Sequence, residues 1–199
     1  MTGHFIAVEG ADGTGKSTQA RLLAERLGAL FTREPGGTPL GERIRALVLD
    51  PSGDPPVDRA EALLMAAARA QHVAEVVEPA LAAGRDVVSD RYVASSVAYQ
   101  GYGRGLGAEA VMAVNRFATD DLRPDLVVLI LVDAPVAVRR LGDHLDRIEQ
   151  AGDAFQTAVV AAYSEMATAD PDRWLVVDGN GTVEEVAARV AAAVEERLR

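Results

Sequence analysis

The sequence predicts an α/β protein built on a five-stranded parallel sheet, with helices on both faces and a short lid. Three observations carry this. Short aliphatic runs alternate with helical patterns along the chain, an order that returns each strand to one sheet through a helical crossover. The stretch from Leu126 to Val132 is aliphatic without interruption, as a strand buried on both faces must be. Between the first run and the first helix lies Gly10-Ala11-Asp12-Gly13-Thr14-Gly15-Lys16-Ser17, the G-x-x-x-x-G-K-[ST] pattern in its strand–turn–helix setting. The expectation is therefore a three-layer P-loop fold.

The elements follow in order. Phe5-Ile6-Ala7-Val8 is the first strand, and the P-loop at 10–17 feeds a helix with Leu22, Leu23 and Leu27 on one face. Ala29 to Thr32 is a short strand, halted by Arg33-Glu34-Pro35-Gly36-Gly37-Thr38, where proline and two glycines mark a loop. Thr38-Pro39 starts a helix with Leu40, Ile44, Leu47 and Val48 at helical spacing. After the break from Asp50 to Pro56, one alanine-rich helix is expected from Val57 to Ala83, closed by Gly84. Asp86 to Ser89 is a strand that delivers Asp90-Arg91-Tyr92, and a helix covers 108–119. Pro135 opens a helix that meets a polar lid at about 139–150, and another helix spans 151–168. Trp174 to Val177 is the last strand. Thr182 caps the closing helix, with Glu185 placed to complete a capping box. No linker or repeat divides 1–199, which reads as a single domain.

The P-loop residues answer a chemical need. Glycines let backbone N–H groups curl around a polyphosphate, and the following helix aims its positive dipole end at the same anion. Lys16 neutralises the terminal phosphates, and the Ser17 hydroxyl can ligate Mg²⁺. Of the 20 lysine and arginine residues, Lys16 is the only lysine. A chain that uses arginine everywhere else keeps the compact ammonium where a rigid fork could not substitute.

Composition sets the bounds. At 49% hydrophobic and 25% charged residues, the chain is ordinary for a soluble globular protein. A formal charge of −10 argues against broad nucleic-acid binding, so an anionic substrate must be drawn in by a local arginine cluster. Cysteine is absent, which removes disulfide and thiol chemistry and fits a cytoplasmic location. The early first strand leaves no room for a signal peptide, and no apolar run is long enough to span a membrane.

In such sheets ligands bind beyond the carboxyl ends of the strands. Three of those ends carry chemistry here: the P-loop, Arg33-Glu34, and Asp90-Arg91. Asp90 is placed to hold Mg²⁺ directly or through water; the bland alternative is a solvated aspartate at a strand end. The P-loop already serves a donor's phosphates. Arg33 and Arg91 therefore suggest a second phosphate ester brought close against charge repulsion, as in a nucleoside monophosphate kinase.

Five segments, taken together and in order, resemble bacterial thymidylate kinases over nearly the whole chain. They are Phe5 to Thr18, Thr32-Arg33-Glu34-Pro35-Gly36-Gly37-Thr38, Asp90-Arg91-Tyr92, Ser95-Ser96-Val97-Ala98-Tyr99-Gln100-Gly101 and Leu145-Asp146-Arg147-Ile148-Glu149-Gln150. The resemblance implies transfer of the ATP γ-phosphoryl group to dTMP, giving dTDP for dTTP synthesis, with Mg²⁺. It places Gly10, Ala11, Asp12, Gly13, Thr14, Gly15, Lys16, Ser17 and Thr18 around the ATP phosphates and Arg140 against the adenine. Asp12 would lie near the deoxyribose 3′-hydroxyl, and Arg33, Arg45 and Arg91 near the acceptor phosphate. Arg69, Ser96 and Gln100 would read the thymine edge, Tyr99 would crowd the place of a ribose 2′-hydroxyl, and Glu34 and Ser95 complete the dTMP site. Arg69 read alone could also face solvent, and Tyr99 could be a half-buried aromatic with a wet hydroxyl.

Two departures qualify the resemblance. Met65 stands where the family stacks a phenylalanine on thymine; it could cover the base or simply fill core. The lid is shorter than in relatives whose P-loop also has glycine at position 13, and it offers Arg139, Arg140 and Arg147 with His144 nearby. The catalytic set expected is Lys16, Arg91 and Arg147, with His144 as the alternative source of charge. A homodimer follows from the resemblance alone. Competing readings are a kinase of another deoxynucleoside monophosphate and a nucleotide-binding paralogue without turnover. His4 and His72 read as structural or surface residues.

Overall fold

The computed structural model describes residues 3–142 and 145–198. Among them, β1 (Phe5–Glu9), β2 (Leu30–Arg33), β3 (Val87–Asp90), β4 (Leu126–Leu131) and β5 (Trp174–Asp178) form one parallel sheet in the order β2-β3-β1-β4-β5. Register aligns Arg33 with Asp90 and Asp90 with Val8, so the three strand ends marked by chemistry lie side by side.

Alternate residues of the central strands go to opposite faces. Ile6, Val8, Val88, Val128 and Ile130 pack on one face with Leu23 of α1 (Lys16–Leu27) and Val186, Val190 and Val194 of α9 (Val183–Arg197). On the other face Leu129 meets Val159 and Tyr163 of α8 (Asp153–Ala169), while Phe5 and Ala7 meet Val73, Val77 and Tyr92. Both faces of the sheet are thus covered, as the unbroken aliphatic strands require.

Local signals set the helix starts. The Thr38 hydroxyl accepts from Gly41 N at 3.0 Å and begins α2 (Pro39–Leu49). At α9, Thr182 N donates to Glu185 at 2.9 Å and Glu185 N donates to the Thr182 hydroxyl at 3.3 Å, closing the capping box. The helix α6 (Ala108–Thr119) lies where its pattern placed it, and α7 (Ala134–Arg140) leads into the lid.

Two stretches differ from the sequence expectation. The helix expected from Val57 to Ala83 is α3 (Asp58–His72) and α4 (Glu78–Ala82), joined by a π-helical segment, Val73–Val77. Pro79 explains the widened turn: it lacks an N–H, and its ring crowds the carbonyl four residues earlier. The second is α5 (Val93–Ser96), continued by a π-helical turn over Val97–Gly103, where no helix was expected. Its valines, serines and glycines are weak helix formers. Burial holds it instead, since Val97 through Gly101 are all buried between α6 and α8. That segment carries Tyr99 and Gln100 into the centre of the molecule.

Candidate active site

The chain leaves β1 through two glycines that no other residue could replace. A side chain at Gly10 would stand 2.7 Å from the Ile130 carbonyl, and one at Gly13 would collide with the Ala137 carbonyl, where α7 lies on the P-loop. Both have positive φ, +148° and +78°. The loop delivers Lys16, only 7% exposed, whose ammonium donates to Asp12 at 3.2 Å and the Ala11 carbonyl at 3.3 Å. Burial and the Arg91 charge pull the Lys16 pKa down, opposed by Asp12 and Asp90. Ser17 and Thr18 lie on the exposed side of the loop.

Arg91 is the hub of the site. It occupies the left-handed region, φ 72°, a strained place for a residue with a side chain. Three bonds keep it there: Arg91 N to Val8 O at 3.0 Å, the Ser89 hydroxyl to Arg91 O at 2.7 Å, and Tyr92 N to Glu9 at 2.8 Å. Its guanidinium donates to Asp12, to Gly10 O at 3.2 Å, to Ser95 at 3.0 Å and to the Tyr99 hydroxyl at 3.1 Å. The Tyr99 hydroxyl in turn donates to Asp12 at 2.7 Å. Burial alone would raise the Asp12 pKa; Arg91, Lys16 and Tyr99 outweigh it and hold the carboxyl at about 2. Beside Arg91, Asp90 is buried, and among the described residues its Oδ1 has no hydrogen-bond partner.

At the end of β2, Arg33 is half-buried and its Nη2 donates to both Glu42 carboxylate oxygens, at 3.1 and 2.9 Å. Arg45 donates to the Pro35 carbonyl at 3.1 Å. Glu34 is buried between Arg69 at 2.6 Å and His72 at 2.7 Å. Burial pushes its pKa up, but those two partners prevail and keep it below the ordinary value. Arg69 is 3% exposed, which excludes the solvent-facing reading. It donates to Glu34, to the Ser96 hydroxyl at 2.9 Å, to Asn115 and to the Tyr92 carbonyl at 3.0 Å, which uses four of its five N–H groups. His72 is fully buried against Glu34 and Thr32, a structural role as expected.

These groups line one cavity of about 710 Å³. The P-loop, Asp90 and Arg91 lie along its wall, and Met65, Arg69, Ser95, Ser96, Tyr99 and Gln100 border it together with Arg33 and Arg45. Met65 also packs with Ile44, Val48 and Tyr99, so it fills core and borders the cavity at once.

The thymidylate kinase family model matches residues 8–190. The chain belongs to the thymidylate kinase family. It is 45% identical to a thymidylate kinase of Exiguobacterium sibiricum over all of this chain and 97% of that one. It is 50% identical to one of Cereibacter sphaeroides, over 96% of this chain and 94% of that one. In the crystal structure of the Ehrlichia chaffeensis thymidylate kinase the fold superimposes with a TM-score of 0.82 at 28% identity. That match covers 98% of this chain and all of the other.

The lid distinguishes the two arginines expected from the family. Arg140 reaches back over the P-loop, donating to Thr14 O at 3.3 Å, Gly179 O at 3.2 Å and Gly181 O at 3.2 Å, and it borders the cavity. Arg147 is not brought to the cavity. Its guanidinium donates to the Val48 carbonyl at 2.8 Å and lies 3.9 Å from Glu61, and its backbone is tied to Leu49. To reach a phosphate it would have to leave α2 and α3. His144 lies outside the described residues.

Three buried groups at the site were not singled out from sequence. Glu9 accepts from Tyr92 N, from the Ser95 hydroxyl at 2.6 Å and from the Tyr163 hydroxyl at 2.9 Å, and so holds the Arg91 turn from beneath. A carboxylate closing an aliphatic strand was the available signal. Tyr163 and Asn115 gave none, since their partners are remote in sequence.

Proposed function

We propose that this thymidylate kinase binds ATP over the P-loop and dTMP at the Met65–Gln100 end of the same cavity, and passes the γ-phosphoryl group directly between them. The protein phosphorylates dTMP to dTDP. The observation that carries the assignment of roles is the continuous cavity, with Lys16 and Arg91 between the regions assigned to the two nucleotides. Two polyanions must approach each other there, and fixed cations lower that cost without reorganising. Ala11, Gly13 and the other P-loop amides cradle the donor, and Arg140 lies against its base. Arg33, Arg45 and Arg91 draw in the acceptor phosphate, with Ser95 bracing Arg91 and Glu34 bracing Arg69 beside them. Tyr99, held to Asp12, fills the space a ribose 2′-hydroxyl would need.

Mg²⁺ fits the site as well. Asp90 Oδ1, buried and without a hydrogen-bond partner, and the Ser17 hydroxyl would hold it, and its charge would offset that of the donor phosphates. Among the described residues no cluster of three acidic or histidine side chains could cage a metal, as suits an ion that keeps phosphate and water ligands. Charge neutralisation in the transition state is assigned to Lys16 and Arg91, while Arg147 fastens the lid. A cytoplasmic location agrees with the absence of cysteine and with the absence, among described residues, of a helix able to cross a membrane. Pairing of two copies through α3 and α6, which expose Leu63 and Phe117, is the oligomer that the family suggests.

A coupled assay with ATP, Mg²⁺ and a panel of nucleoside monophosphates tests the reading. Turnover on dTMP well above the rest is expected. Preference for another monophosphate, or binding without turnover, would select one of the competing readings.

Met65 offers a graded check. Met65→Phe is expected to tighten dTMP binding by about 1 kcal/mol, the low end for base–aromatic stacking. Calorimetric titration measures it. Weaker binding together with a lower Tm would mean that the ring overpacks the core beside Ile44 and Val48.

A further inference from the structure

Gln100 borders the cavity, but the group that decides which way its carboxamide points lies behind it. Glu61 of α3 is 1% exposed and Gln100 2%, and Gln100 Nε2 donates to Glu61 Oε1 at 2.9 Å. The other donors at Glu61 are all guanidinium groups. Arg104 reaches both carboxylate oxygens, at 3.3 and 3.1 Å, and Arg147 stands 3.9 Å from Oε2. Arg104 is itself fixed, stacked over the Phe155 ring at 4.8 Å and 3.6 Å from Asp58.

A carboxylate accepts hydrogen bonds and donates none. Turning the Gln100 carbonyl toward Glu61 would set two acceptors against each other in a buried place. The NH₂ group must therefore face Glu61, and the carbonyl must face away from it. Glu61 Oε1 takes one amide hydrogen, and the other remains beside the carbonyl for a ligand. The edge left for a ligand is thus an acceptor with a donor next to it. A base with N–H at ring position 3 and a carbonyl at position 4, thymine or uracil, pairs with that edge. Cytosine presents the reverse, a bare nitrogen and an amine.

We propose that Glu61 is a specificity-determining positioning residue: through the Gln100 carboxamide it makes the site accept a 4-oxo pyrimidine and reject a 4-amino one. The inference rests on the reading that the acceptor is dTMP. It also gives Arg104 a function, since its guanidinium occupies both carboxylate oxygens of Glu61. Glu61 never touches the substrate.

The test is the ratio of kcat/KM for dTMP to that for dCMP in the full-length protein. In Glu61→Gln the new amide turns its oxygen to the arginines and its NH₂ to Gln100, which must then accept and so reverse its edge. The ratio is expected to fall at least about tenfold, the discrimination a bidentate base contact gives, with the KM for ATP unchanged. Glu61→Asp, still an acceptor, should keep the wild-type preference. A merely structural Glu61 would lower Tm and slow both nucleotides alike. An unchanged ratio in a folded Glu61→Gln protein overturns the inference. Should that variant fail to fold, wild-type turnover of dTMP methylated at N3 decides: rejection supports the carbonyl orientation, and turnover equal to that of dTMP overturns it. Wild-type protein that turns over no pyrimidine monophosphate would contradict the substrate reading instead.

Discussion

Replacing Arg91 with alanine is expected to lower kcat by about 10³–10⁵-fold, the range measured where an arginine neutralises a moving phosphoryl group. The geometry gives two reasons. The guanidinium lies between the P-loop carbonyl of Gly10 and the Tyr99 hydroxyl, at 3.2 and 3.1 Å, between the regions assigned to donor and acceptor. It is also the strongest partner of Asp12, so its loss leaves a buried carboxylate beside the incoming phosphates. Lys16 and Tyr99 still hold Asp12, but the carboxylate loses its largest compensating charge, so Arg91→Ala is expected to melt earlier as well. Arg91→Lys separates the two effects. It restores charge but not the fork, and should fold with kcat down by about 10²-fold, as for loss of one transition-state donor. A kcat within tenfold of wild type in Arg91→Lys and Arg91→Ala alike would remove Arg91 from the chemistry, where about tenfold is a barrier change of 1.4 kcal/mol.

Lys16→Arg is expected to cost at least about 10²-fold in kcat/KM, although charge is conserved. Lys16 is 7% exposed and its ammonium donates to Asp12 and the Ala11 carbonyl, contacts that a rigid planar fork does not reproduce. Because Lys16 is the only lysine, an amine-directed reagent should modify just this side chain and the N-terminal amine. ATP should protect Lys16 and leave the terminus unaffected. Peptide mass mapping reads both positions in one sample. Equal modification of Lys16 with and without ATP would count against its contact with the donor.

Much of this site was legible from sequence because its parts are local. The P-loop, the Arg33-Glu34 and Asp90-Arg91 strand ends, and the alternation of strands with helices each lie within a short window. Their convergence follows from a single parallel sheet. What escaped depends on contacts between distant segments. Arg69 on an alanine-rich helix carries no mark that separates a buried strut from a solvated charge; only its bonds to Glu34, Ser96 and Asn115 do. Arg147 was expected in the catalytic set, yet Val48 and Glu61 hold it from helices far away in sequence. The π-helical turn at Val97–Gly103 was hidden for the same reason, since packing, not propensity, maintains it.

The central claim is that the phosphoryl group passes in one step between two nucleotides held in one cavity, with no protein nucleophile. The carboxylates beside Lys16 and Arg91 do not suit that role: Asp12 is bound by Arg91, Lys16 and Tyr99, and Asp90 is buried with an oxygen that no described residue bonds, as suits a cation. ATP made chiral at the γ-phosphorus with sulfur and oxygen isotopes tests this most directly. A single in-line displacement inverts the configuration found in the thiophosphoryl product of dTMP, and inversion is the predicted result. Retention would mean two displacements through a phosphorylated side chain, and would contradict the account.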